Sequence, residues 1–130
     1  MDLSKIIIFF FSFTYSMDEV NNIYYEGLEA YKNGQYELAI QNFEQILSND
    51  WESSTLYYNL GNAYYQMNDI SNSIWSYEQC LKLDPFDKDA EYNLKLANII
   101  KNSGGGYELI EKSLKTTPYL INVKDISVGG

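Results

Sequence analysis

A period of 34 residues constrains the fold of this chain more than any other feature. Tyr58, Gly61, Tyr65, Ile74, Glu78, Gln79, Leu81 and Asp84 each stand 34 residues after an identical residue: Tyr24, Gly27, Tyr31, Ile40, Glu44, Gln45, Leu47 and Asp50. A fixed period in this range marks units that cannot bury their apolar face alone and therefore stack on their neighbours. Thirty-four residues is the period of a two-helix unit. Function is accordingly expected on a surface rather than in a deep pocket.

The apolar spacing supports the helices. Ile23, Gly27 and Ala30 recur at helical intervals, and so do Ala39, Phe43 and Ile46 after the break at Asn33-Gly34. Gly34 suits the left-handed conformation that ends a helix, and 34 residues on stands Asn68, the next most tolerant residue for it. The second unit carries Tyr57, Leu60, Gly61 and Tyr64 on its first helix and Ser73, Tyr77 and Cys80 on its second. It closes at Asp84-Pro85, since proline cannot continue a helix. Ser53 and Asp87, again 34 apart, are placed to cap the helices that follow.

On these residues the chain resembles the tetratricopeptide repeat family. The family pattern of aromatic, Leu-Gly, aromatic, then Ala or Ser, aromatic, small residue and Pro is met by Tyr57, Leu60, Gly61, Tyr64, Ser73, Tyr77, Cys80 and Pro85. The first unit keeps Gly27, Ala39 and Phe43 but has Glu26, Ala30 and Trp51 where the second has Leu60, Tyr64 and Pro85. The stretch from Leu60 through Tyr65, with Asp69-Ile70 and the run beginning at Asp84, is also similar to the repeat segment of BatE-type aerotolerance proteins. The resemblance implies an all-α right-handed superhelix of two helix-turn-helix repeats, about 20–53 and 54–87, plus a C-terminal capping helix at about 88–102, together a domain over 17–102. In that last helix Lys95 and Asn98 stand where Gly61 and Tyr64 stood, so the face that would receive a partner helix has turned polar, as a cap requires. A Gly-rich linker and short tail occupy 103–130, with a brief amphipathic piece at 107–115 carrying Leu109, Ile110 and Leu114. That piece folding back, a second copy of the chain, or further sequence would supply what two and a half repeats lack.

Composition narrows the function. A net charge of −9 repels a phosphate backbone, so nucleic acid is not an expected partner. The chain has no His, which removes the commonest general base and most zinc ligand sets. The one cysteine, Cys80, occupies a small buried position and is assigned no redox role. Asp84, Asp87 and Asp89 cluster in one turn but match no calcium loop, and helix capping is the better reading. No catalytic residue, cofactor, metal or small-molecule substrate is expected, and the chain reads as a non-enzyme.

The first residues resemble an export signal. Lys5 precedes an unbroken apolar run over 6–11, too short to span a bilayer, and small residues Thr14 and Ser16 follow. Residues 1–16 are expected to be a signal peptide cut after Ser16, giving a periplasmic or otherwise exported protein. The alternative is an uncleaved apolar tail on a cytoplasmic or weakly membrane-associated one.

In the family the first helix of each unit lines a concave groove. Here that lining would comprise Tyr24, Leu28, Tyr31, Tyr58, Asn59, Asn62, Tyr65, Tyr92 and Asn93. Tyrosine and asparagine combine contact area with donors and acceptors, so an extended peptide is the expected ligand. The alternative at each tyrosine is that it completes packing between repeats. The family's carboxylate clamp is not reproduced: Asn59 matches one position, but Tyr24 and Leu28 replace Lys and Asn, and Asp89 and Asn93 replace the basic pair. With acidic Asp87, Asp89 and Glu91 nearby, the expected partner is a neutral or basic protein segment. The other class is a structural or assembly element that self-associates or joins a cell-envelope complex, for which Trp75 on the outer face is the candidate patch.

Overall fold

A computed structural model describes residues 15–103, and the apolar run at 6–11 and the amphipathic piece at 107–115 lie outside the described residues. Five helices follow in order: α1 (Met17–Lys32), α2 (Tyr36–Leu47), α3 (Ser54–Gln66), α4 (Ile70–Leu83) and α5 (Lys88–Asn102). Each packs on the next in the chain, α1 with α2, α2 with α3, α3 with α4 and α4 with α5. This is the all-α stack of two helix pairs plus one helix that the period implies.

The turns within each pair are set by single residues. Gly34 at φ +75° and Asn68 at φ +62° both take the left-handed conformation, which lets the chain reverse within three residues. Asp50, also left-handed at φ +63°, lies in the longer connection between the pairs. Four of the five helices open on side-chain caps, α3, α4 and α5 on a single residue each. Ser53 Oγ accepts from Leu56 N at 3.0 Å, Asp69 Oδ1 from Asn72 N at 3.2 Å, and Asp87 Oδ1 from Asp89 N and Ala90 N at 3.1 and 3.0 Å. Asp84 Oδ1 accepts from Phe86 N at 3.2 Å, so two of the three clustered aspartates have structural work in the α4–α5 turn.

Helix α1 has the strongest start of all. Ser16 Oγ accepts from Glu19 N at 3.3 Å while Glu19 Oε2 accepts from Ser16 N at 2.7 Å, a reciprocal capping box. One residue earlier, Tyr15 packs against the core and its hydroxyl accepts from Gln45 Nε2 at 2.7 Å. A cut after Ser16 would therefore remove structure that holds α1 on α2. Ser16→Ala is expected to lower the unfolding free energy by about 1 kcal/mol, read as a shift in the urea midpoint at constant slope.

The core has two lobes. One joins Val20, Tyr24, Leu28, Ala39, Phe43 and Ile46 to Leu56, Leu60 and Ala63 from the next repeat. The other joins Tyr58, Ile74, Tyr77 and Cys80 to Ala90, Ala97 and Ile100. Each lobe has the same key contact. A Cβ on Gly27 would lie 2.6 Å from Phe43 Cε1, and one on Gly61 would lie 2.6 Å from Tyr77 Cε1, so glycine is what allows each ring to lie on the opposing helix. Trp51 is part-buried against the first lobe, where it covers the junction between the pairs. Trp75 is 46% exposed on α4 with its ring edge-on to Tyr57 at 5.8 Å.

Candidate functional site

The nine residues expected to line a groove fall on α1, α3 and α5, as the repeat requires, but the structure presents only two of them. Tyr24, Leu28, Tyr31, Tyr58, Asn59, Asn62 and Asn93 are buried, none more than 6% exposed. Tyr65 is half-buried and Tyr92 is 36% exposed. The expected open Tyr/Asn lining is corrected accordingly: most of it is framework.

The polar atoms of that framework are bonded to each other across repeats. Asn59 Nδ2 donates to Tyr24 Oη at 2.6 Å, joining α3 to α1. Thirty-four residues on, Asn93 Nδ2 donates to Tyr58 Oη at 3.4 Å, joining α5 to α3. Asn62 Oδ1 accepts from Tyr77 Oη at 2.6 Å and from Asn93 Nδ2 at 3.2 Å. Buried amides and phenols need such partners, because each one left without costs about 1–3 kcal/mol. A residue so engaged specifies register instead of meeting a ligand.

Electrostatics agree with a framework role. Burial pushes the Tyr77 hydroxyl well above its ordinary range, and burial does the same at Tyr31. Tyr64 and Tyr57 are also raised, by burial first and then by the carboxylates of Glu44 and Glu52 that accept their hydrogen bonds. All four are neutral donors at physiological pH, unsuited to act as bases or nucleophiles. Cys80 is fully buried with Sγ 3.7 Å from Asp87 Oδ2, consistent with a small packed thiol.

What the surface does offer is aromatic and acidic. Tyr92 on α5 is flanked by Glu91, exposed and paired with Lys88 at 2.9 Å, and by half-buried Asp89. A second accessible area was not legible in the sequence: a shallow depression at the α1–α2 turn lined by Gly34, Tyr36, Leu38, Gln41 and Met67, with Leu38 and Met67 each more than 40% exposed. Its one sequence signal was Leu38, an apolar residue off the buried stripe of α2. Among the described residues no group of acidic and cysteine side chains is placed to hold a metal ion, and no helix is long and apolar enough to cross a membrane.

Comparison with known proteins agrees with this architecture. One family model, tetratricopeptide repeat, matches residues 54–87, the span of α3 and α4 with their flanking turns. Another, TPR repeat, matches 27–68. The chain is similar to human tetratricopeptide repeat protein 12, at 30% identity over 96 residues that make up 73% of this chain and 14% of that relative. It thus spans a small fraction of the length of the curated relative it matches. No solved structure matches the chain significantly. The repeat period, the glycine-on-ring contacts and these matches carry one conclusion: the chain belongs to the tetratricopeptide repeat family.

Proposed function

We propose that this chain is a non-catalytic interaction module that binds a neutral or basic protein segment. Tetratricopeptide repeats generally mediate protein–protein contact, and that general role is the starting point. The observation that carries the finer reading is the first half of α5, which carries exposed Tyr92 together with exposed Glu91 and half-buried Asp89. An aromatic face in an acidic surround favours a partner with basic or uncharged side chains and disfavours an anionic tail.

The test is a pull-down with the full chain against a Glu91→Lys plus Tyr92→Ala variant. Both positions are exposed, so the variant is expected to keep its helical signal and melting temperature. Recovery of specific partners should fall at least tenfold. Unchanged recovery with an intact fold would sink the reading.

Export is part of the proposal and rests on Lys5 and the apolar run at 6–11. The anchoring of α1 by Tyr15 and Ser16 supports a cut upstream of Tyr15 rather than after Ser16. The intact mass of the mature protein decides it, and a mass that retains Met1 overturns export. The second reading, self-association or membership of an envelope complex, is favoured by exposed Trp75 alone. Size-exclusion with light scattering separates the two: a monomer that captures a partner supports the module, and an obligate oligomer supports assembly.

A further inference from the structure

We infer that the recess at the α2–α3 junction, walled by Trp51, receives one arginine side chain from a partner protein segment. Trp51 supplies a ring for the guanidinium, and the carboxylates of Asp50 and Glu52 supply the countercharge. This site is separate from the α5 surface and does not rest on the reading given to it.

The recess follows from the way the first repeat closes. Where the second unit ends on Asp84-Pro85-Phe86, the first ends on Asp50-Trp51-Glu52, one period earlier. Asp50 takes the left-handed conformation, and the chain then runs through 51–53 outside any helix before α3 starts at Ser54. That connection leaves a cavity of about 290 Å³ lined by Leu47, Asp50, Trp51, Glu52 and Tyr57. Small-molecule pockets run from roughly 300 to 1,000 Å³, so this one suits a single side chain better than a whole metabolite.

Its walls are fixed and its rim is charged. Trp51 is half-buried against the first lobe of the core, and Tyr57 is buried with its ring edge-on to Trp75. Asp50 and Glu52 are both exposed. Tyr57 Oη donates to Glu52 Oε2 at 3.0 Å, which holds that carboxylate beside the rings and leaves Oε1 open. In the corresponding turn Asp84 Oδ1 accepts from Phe86 N, whereas the Asp50 carboxylate has no hydrogen-bond partner among the described residues. It is released from the capping that its counterpart performs.

Nothing in the surrounding chain neutralises these two charges. Residues 33–81, from the C-cap of α1 to the last turn of α4, contain six acidic residues and no basic one. Among the described residues the one ion pair is Lys88 with Glu91, on α5. The complementary charge is left for a partner to bring. Arginine is the cation that fits, because its planar guanidinium stacks on an aromatic face and forks onto carboxylate oxygens. It is also more weakly hydrated than an ammonium, so it leaves water at lower cost. This chain has no arginine, so neither its own segments nor a second copy can supply the group.

The test uses the full chain with nitrogen-labelled tryptophan and the peptide acetyl-Gly-Ser-Arg-Ser-Gly-amide. The two indoles give two signals, assigned with Trp75→Phe. The peptide should shift the Trp51 signal to saturation in the millimolar range and shift that of Trp75 less. Citrulline, the uncharged isostere, in place of the arginine should weaken binding by about fivefold or more, and lysine should bind more weakly than arginine. Asp50→Asn plus Glu52→Gln should weaken binding of the arginine peptide by about fivefold or more at an unchanged melting temperature. Asparagine also tolerates the left-handed conformation, and glutamine keeps an acceptor for Tyr57. Raising the salt from about 0.02 to 0.5 M should weaken binding by the parent protein about threefold or more, which tests the charge without any substitution. Equal binding of the citrulline peptide, equal or tighter binding of the lysine peptide, a larger shift at Trp75, or insensitivity to salt overturns the proposal. So does full affinity in the Asp50→Asn plus Glu52→Gln variant. The Glu91→Lys plus Tyr92→Ala variant should bind the peptide as the parent does, so failure at the α5 surface and failure here are read separately.

Discussion

Alanine in place of Tyr77 is expected to lower the unfolding free energy by about 3–5 kcal/mol, the range for deleting a large buried aromatic side chain. Domains of this size have only about 5–15 kcal/mol in total, so the variant should be partly unfolded at ordinary temperatures. The ring is fully buried, lies 6.1 Å from that of Tyr58, covers Gly61 and donates to Asn62. Tyr77→Phe keeps the ring and loses the hydroxyl, and should cost about 0.5–1.5 kcal/mol. Gly61→Ala tests the same contact from the other side. In an exposed helix that change stabilises by about 1 kcal/mol through helix propensity. Here the new methyl would meet a buried ring at 2.6 Å, and overpacking of about 1–3 kcal/mol reverses the sign. Urea denaturation of the three variants is the measurement. A stabilised Gly61→Ala, or a Tyr77→Ala within 1 kcal/mol of the parent, would contradict the packing described.

The second large effect is alkaline. Tyr31 and Tyr77 are held neutral by burial, with hydroxyls raised above the value of about 10 that they have in an unfolded chain. Above that pH the unfolded state loses these protons and the native state keeps them. The unfolded state then binds fewer protons, so stability falls as pH rises. It is fully present below pH 10 or so and declines by about 1.4 kcal/mol per pH unit for each tyrosine. Because the slope is only half-developed at pH 10, two such groups give a decline of about 2 kcal/mol between pH 10 and 11. The urea midpoint should be flat from pH 7 to 9 and drop steeply beyond, with tyrosinate absorbance appearing together with loss of helix. Tyrosinate formation for these residues in a still-helical protein would contradict their burial.

Much of the fold was legible because its determinants are local. Gly34 and Asn68 announce left-handed turns, Ser53 and Asp87 announce caps, and Pro85 announces an end, since each property belongs to the residue itself. The groove was less legible for a physical reason. A period reports that Tyr24 and Tyr58 share an environment without saying whether it is inside or outside. Tyrosine suits both, having an apolar ring and a polar tip. Asparagine misleads in the same way: Asn59, Asn62 and Asn93 read as surface recognition groups and are buried ones, their amides engaged by phenols on neighbouring helices. Ser16 and Glu19 did spell a capping box, but an expected cut after Ser16 placed the cap and its helix on opposite sides.

The tyrosine–asparagine bonds between α1 and α3, and again between α3 and α5, share one offset of 35 residues: one period plus one step along the chain. A lattice with that rule can grow or shrink only by whole cells. Duplicating residues 54–87 in place would recreate the bond at the new seam, with Tyr58 of the first copy facing Asn59 of the second. Inserting a single residue within a first helix would put out of step any tyrosine–asparagine pair that straddles the insertion. Length is thus an inherited variable of this scaffold and phase is not.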